Sequence, residues 1–196
     1  MSRRKKTISS DIQHLYLMMN KPCGYVCSSV SDRSPVVFDL IPDEYKSYCV
    51  QNNLSLHTVG RLDKDTSGLL LFTTDGQFSH RLTSPENHVE KLYEVVLKEK
   101  ESAERQKQIE QRFSKGIILP AEKKSEEQQA LPSNIEWISA SVCRLTISEG
   151  KFHQVRRMFL AVGNEVSELK RLAVGTYLLP KDLEPGNVVQ VSMNYC

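Results

Sequence analysis

Apolar residues fall in short runs separated by polar stretches and by Gly- and Pro-bearing breaks, and the runs follow two different periods. Residues 15–20 (LYLMMN) read as a buried strand, broken at Lys21-Pro22-Cys23-Gly24, after which residues 25–28 can resume extended structure. Ser34 and Pro35 suit an N-cap and a first helical position, which predicts a short helix over residues 36–41 ended by Pro42. Residues 68–73 (GLLLFT) have the length of a central strand, and Asp75 is placed to cap a helix carrying Phe78, Arg81 and Leu82. Residues 92–97 and 142–148 alternate as strands, and residues 166–174 and 188–192 read as late strands. Between them, residues 101–114 form a polar helical pattern with Ile109 and Phe113 four apart. Phe152, Val155, Met158, Phe159 and Val162 recur at helical spacing before the stop at Gly163. The charged, Gln-rich stretch 120–132 reads as a hairpin excursion or mobile loop. Many strands with few helices between them predict an α+β domain built on a mixed, mostly antiparallel sheet.

Composition narrows this only a little. With 196 residues the chain is long enough for one good-sized domain, and 39% hydrophobic with 26% charged residues is ordinary for a globular protein. No apolar run approaches the roughly 20 residues of a membrane span. The basic start MSRRKK lacks the apolar stretch of a secretory signal, so residues 1–11 read as a basic tail and residues 12–196 as the domain. The net charge of +2 does not announce a nucleic-acid binder, but the signs are separated. Arg3 to Lys6 cluster at one end and Lys151, Arg156, Arg157, Lys170 and Arg171 near the other, which permits a basic face on a neutral protein. The five cysteines include no Cys-x-x-Cys pair and no completed zinc set, so they read as free thiols of a reducing compartment.

The chemistry concentrates at residues 57–71, HTVGRLDKDTSGLLL. Arg61 can meet a phosphate or fill a gap in a base stack, and Asp63, two residues on, can attack or take a proton. Read alone, this is a turn whose Asp63 and Asp65 bond to nearby amides. The run Gly60-Arg61-Leu62-Asp63 with Thr66-Ser67-Gly68-Leu69-Leu70 nevertheless resembles the signature of the pseudouridine synthases, in the Rsu-type branch of the RsuA/RluB/RluE/RluF family. That resemblance implies a synthase-type catalytic domain with flanking helices and a central RNA-binding cleft. It implies that Asp63 is the catalytic aspartate, acting on the ribose of a flipped uridine as nucleophile or as base toward C2′. It implies no metal and no organic cofactor, because the uracil stays in the pocket between the two steps. Arg61 would occupy the vacated stack, offsetting part of the few kcal/mol that extrusion costs.

Other segments extend the resemblance. In Lys91-Leu92-Tyr93, a strand Tyr read alone is a core residue, whereas the family's aromatic at this place stacks on the target base. In Glu149 to Phe159, a wheel at about 100° per residue puts Arg156 at the edge of the apolar face and Arg157 further toward solvent. An Arg at that edge needs a partner, and the Asp63 carboxylate would supply one; the resemblance agrees. Arg157 is then a phosphate contact or a solvated charge, His153 makes a helix-start hydrogen bond, and Gln154 touches RNA. Asn20-Lys21-Pro22 resembles the family's first motif, with Lys21 as an RNA contact. In Glu168-Leu169-Lys170-Arg171, Leu169 would line the uracil pocket and Lys170 or Arg171 would contact RNA. Too few residues precede Asn20 for the small S4-type RNA-binding domain that many members carry, so the expectation is a short form or a truncated chain. The patterns around Ser84-Pro85 and Ser148-Glu149-Gly150 look closest to the small-subunit ribosomal RNA enzymes. The implied partner is ribosomal RNA or an assembling subunit, met in the cytoplasm by a monomer away from membranes. Two rival readings stay open: a synthase acting on large-subunit RNA, and a non-catalytic RNA-binding assembly factor.

Overall fold

The run Ser67–Thr73 is buried along nearly its whole length because it carries a core on each face. Leu70 and Phe72 pack with Leu17, Met19, Tyr93 and Val95, while Leu69 and Leu71 pack with Phe78, Leu82 and Tyr177. A strand covered on both sides has no polar face to alternate with, which is why its sequence is a continuous apolar run. The computed structural model describes residues 13–31, 33–122 and 125–193. The basic tail assigned to residues 1–11 lies outside them, as does Cys196.

In chain order the elements are β1 (Tyr16–Lys21), α1 (Asp43–Gln51), β2 (His57–Val59), β3 (Ser67–Thr73), α2 (Gly76–Thr83) and β4 (Lys91–Leu97). There follow α3 (Ala103–Phe113), β5 (Ile118–Leu119), β6 (Gln128–Gln129), β7 (Asn134–Trp137) and β8 (Val142–Ile147). Last come α4 (Gln154–Ala161), β9 (Val166–Val174), β10 (Tyr177–Leu178) and β11 (Val188–Gln190). One sheet runs β11-β1-β3-β9-β4-β8-β7, with β2 added beside β3 and β10 beside β9. Every pairing in it is antiparallel except β3 with β9. The α+β class and the mixed, mostly antiparallel sheet are those the pattern predicts.

The helices are fixed by local chemistry and by packing. Asp75 caps α2 as expected, its carboxylate accepting from the amides of Gln77 at 2.9 Å and Phe78 at 3.2 Å. Ser102 caps α3 by accepting from the Arg105 amide at 3.2 Å. Ile109 and Phe113 of α3 meet Met158 and Phe159 of α4 in the larger core. Each such fully buried side chain contributes on the order of 1.5–3 kcal/mol.

Two expectations need correction. Residues 37–40 form only a 3-10 turn, closed by the Asp39 carboxylate accepting from the Val36 amide at 3.1 Å, and Ser34 caps nothing. Pro42 does not end a helix there; it precedes α1, which the sequence did not reveal. Only Cys49 of α1 is buried, so this helix carries no apolar stripe to read. The stretch 120–132 is indeed a hairpin excursion, with β5 and β6 as its stem.

Candidate active site

Residues 60–66 link β2 to β3 and form the floor of a cleft, and their backbone is held from three sides. Lys21, at the end of β1, is fully buried, and its ammonium donates to the carbonyls of Thr66 at 2.8 Å, Asp63 at 3.1 Å, Pro22 at 3.1 Å and Lys64 at 3.3 Å. Burial pushes the Lys21 ammonium below the usual lysine range, with Cys27, Cys23, Asp63 and Asp65 pulling it back up. Arg156 donates to the Asp65 carbonyl at 3.0 Å and to the Val166 carbonyl at 2.9 Å. The Leu62 amide reaches the Cys27 sulfur at 3.4 Å, and the Gly24 amide donates to the Lys64 carbonyl at 2.8 Å. Burial raises the Cys27 thiol, and the Leu62 amide opposes that rise. The net effect is a loop whose backbone is committed to the protein while the Asp63 side chain keeps 39% of its surface open.

That side chain opens into a cleft of about 210 Å³. The volume lies below the roughly 300–1,000 Å³ of pockets for drug-sized ligands, so it suits one flat ring rather than an extended molecule. Arg61, Asp63, Lys91, Tyr93, Glu149, Lys151, His153, Gln154, Leu169 and Arg171 all line it. Alternation along β9 turns Leu169 and Arg171 to the buried side and leaves Lys170 half-buried between them. Arg171 donates through Nε to the Leu69 carbonyl at 2.8 Å, and its Nη2 is buried without a partner among the described residues. Burial lowers the Lys91 ammonium, Arg171 lowers it further, and Glu149 opposes both. Tyr93 is buried in the wall and Arg61 is exposed at the rim.

Five site expectations are corrected by this geometry. Lys21 is not an RNA contact, because its ammonium has no surface and is spent on four carbonyls. Arg156 does not pair with the Asp63 carboxylate; it pins the loop backbone two residues further on. Gln154 is buried, accepting from the Lys151 amide at 2.9 Å and donating to Glu149 at 2.7 Å, so its amide shapes the turn rather than facing RNA. The His153 side chain makes no helix-start hydrogen bond, only its carbonyl accepting from the Arg157 amide at 2.9 Å; its ring reaches toward Glu122 and Asp63 instead. Arg157 does not point to solvent but is 1% exposed. Its guanidinium donates to the carbonyls of Glu126 at 2.7 Å, Pro120 at 2.9 Å, Phe152 at 3.0 Å and Leu119 at 3.5 Å, and to the Ser125 hydroxyl at 3.0 Å. The wheel assumed that the far face of α4 meets water, whereas the β5–β6 arm packs over it.

Replacing Arg157 with Met is therefore expected to cost stability, roughly 2–3 kcal/mol, through carbonyls left without donors. The salt slope of RNA binding should not change, since no phosphate contact is lost. Urea denaturation and binding titrations at several salt concentrations measure both; a flattened slope with unaltered stability would restore the phosphate role. Sequence reasoning also missed Glu122 and Lys91. Lys91 stood inside a motif already singled out for its Tyr, while nothing in the spacing of the chain ties Glu122 to His153, 31 residues away.

The RNA pseudouridylate synthase family profile matches residues 15–161. A relative named ribosomal small subunit pseudouridine synthase A, from Salmonella typhimurium, is 46% identical over 87% of this chain and 68% of its own length. The protein of that name from Escherichia coli is 47% identical over the same shares. A crystal structure of a pseudouridylate synthase superposes with a TM-score of 0.79 at 38% identity, covering 92% of this chain and 71% of that one. An archaeal box H/ACA sRNP complex shares the fold at 18% identity, with a TM-score of 0.58 over 93% of this chain and 54% of its own.

Proposed function

Because the chain belongs to the RNA pseudouridylate synthase family, we propose that it isomerises one uridine of small-subunit ribosomal RNA to pseudouridine, with Asp63 as the catalytic carboxylate. The observation that carries the reading is the Asp63 loop itself. Its backbone is clamped by Lys21, Arg156 and Cys27, yet its carboxylate opens into a cleft the size of a single base. A reacting group held by contacts to its backbone is positioned before substrate arrives, which is where much of a catalytic advantage lies. The choice of small-subunit RNA rests on the names of relatives at 46–47% identity.

In this reading the uridine leaves its stack and enters the cleft, a step that costs a few kcal/mol. Arg61, at the rim, covers the gap left in the RNA and offsets part of that cost. Tyr93 presents its ring to the uracil, and Leu169 closes the apolar side of the pocket. Asp63 acts on the ribose, the bond from N1 to C1′ breaks, the uracil turns, and C5 bonds to C1′ while the C5 proton is given up and N1 gains one. Atoms and electrons balance within one nucleotide. A narrow cleft that excludes water keeps the detached base from escaping before the new bond forms. Lys170, half-buried beside the cleft, is available to the RNA backbone. Arg171 sits deeper and works on the pocket wall. The partner is ribosomal RNA, free or in an assembling subunit, met by a cytoplasmic monomer.

The test is to map pseudouridine in ribosomal RNA, by carbodiimide-dependent reverse-transcription stops, from cells with and without the gene. One small-subunit site is expected to vanish and to return with the wild-type gene. A lost site in large-subunit RNA would keep the chemistry and overturn the substrate. No lost site in either would overturn both and favour the non-catalytic reading.

A further inference from the structure

His153 and Glu122 meet beside the catalytic carboxylate without a part in the scheme above. His153 sits in the left-handed region, with φ of 48°, immediately before α4. That conformation is uncommon for a residue with a side chain and is kept where the surroundings demand it. Its ring stacks on Phe152, with centroids 3.8 Å apart and planes at 19°. Its Nδ1 lies 3.0 Å from both carboxylate oxygens of Glu122, and its Nε2 lies 3.7 Å from Oδ1 of Asp63.

Glu122 comes from the arm between β5 and β6, and the arm is built to hold it. The backbones of Glu122 and Ser125 bond to each other in both directions, at 2.8 and 2.6 Å. The buried Arg157 guanidinium ties Leu119, Pro120, Ser125 and Glu126 to α4. A buried cation therefore fixes the arm, the arm fixes Glu122, Glu122 fixes the imidazole, and the imidazole faces Asp63.

We propose that Glu122 and His153 form a positioning pair that orients the Asp63 carboxylate, so that the β5–β6 arm is a working part of the active site. The proposal rests on reading Asp63 as the catalytic group. A carboxylate on Nδ1 selects the ring orientation and steadies positive charge on it, the arrangement by which one side chain sets another at many reacting centres. The other charged groups lining the same cleft are Arg61 on the Asp63 loop, Glu149 and Lys151 on the preceding turn, and Lys91 and Arg171 on the neighbouring strands. Lys151 and Glu149 are paired with each other, which leaves Asp63 and Glu122 as the carboxylates that the ring contacts.

The test uses the full chain with transcribed small-subunit ribosomal RNA, measuring kcat and KM for pseudouridine formation from pH 5.5 to 9. His153→Gln and Glu122→Gln are each expected to lower kcat roughly ten- to hundredfold with KM little changed. The wild-type kcat profile should show a limb that is absent from His153→Gln. The double variant should be no worse than His153→Gln alone, because Glu122 acts through the ring. An unchanged kcat and profile in His153→Gln would overturn the pair, and so would a raised KM at constant kcat, which marks an RNA contact. If wild type makes no pseudouridine in this RNA, the reading of Asp63 or of its substrate fails first. The pair is then judged by the ¹⁵N resonances of the His153 ring. Shifts in both Asp63→Asn and Glu122→Gln would support it, and resonances indifferent to both would overturn it.

Discussion

Asp63→Asn is expected to lower pseudouridine formation by about four orders of magnitude or more, while RNA affinity stays within a few-fold of wild type. The asparagine has the shape of the aspartate and lacks its negative charge. The loop should not notice the exchange, because its bonds to Lys21, Cys27 and Arg156 run through the Asp63 carbonyl, the Leu62 amide and the Asp65 carbonyl. Among the described residues, only the long approach of His153 involves the carboxylate itself. The variant thus separates chemistry from folding and from binding. Asp65→Asn is the control: that residue is exposed, and its backbone rather than its carboxyl meets Arg156, so activity should remain within a few-fold. Single-turnover assays with equilibrium binding on the same RNA measure both quantities. Substantial turnover by Asp63→Asn, with a collapse in Asp65→Asn, would move the catalytic role two residues along the chain.

What could be read in advance was local in origin. The β3 run, the Asp75 cap and the apolar stripe of α4 each depend on neighbours in sequence, so pattern and capping chemistry expose them. The Asp63 motif was legible for another reason: a loop whose backbone is pinned from several sides constrains many of its residues. Gly60 has φ of 70°, Leu62 and Thr66 are buried, and Gly68 sits where a Cβ would collide with the Arg171 backbone. What stayed hidden depends on segments far apart in the chain. Lys21 looked like a surface cation because nothing in its own strand shows that four carbonyls converge on it. Arg157 looked solvated because a helical wheel knows one helix and not the arm folded over it. The wheel and the motif together suggested an Arg156 to Asp63 pair, but the guanidinium stops at the backbone of the same loop. Charge near a carboxylate in sequence logic became support for a loop in three dimensions.

Gly68→Ala should be the most damaging conservative change in the protein, costing on the order of 4 kcal/mol or more. The residue has φ of 100°, where any Cβ is strained by about 1–2 kcal/mol, and here the strain is the smaller part. A Cβ at this position would lie 2.2 Å from the Arg171 carbonyl oxygen and 2.7 Å from the Arg171 amide nitrogen. Both are backbone atoms and cannot swing aside as a side chain would. They belong to the one parallel pairing of the main sheet, between β3 and β9, which extends over only Ser67 with Lys170 and Gly68 with Arg171. Prying it open would loosen β9, which sets Leu169 and Arg171 on the cleft wall, and would slacken the end of the Asp63 loop at Thr66. Typical domains hold only 5–15 kcal/mol in total, so the variant should sit near the edge of folding. At roughly 2–4 °C per kcal/mol for a domain of this size, its melting temperature should fall by about 10 °C. Gly76→Ala provides the comparison, since that glycine begins α2 with open space around it, and alanine there should be neutral or mildly stabilising. Thermal and urea unfolding of the two variants decide the matter. If both melt within a degree or two of wild type, the close approach of β3 to β9 is not what holds the cleft together.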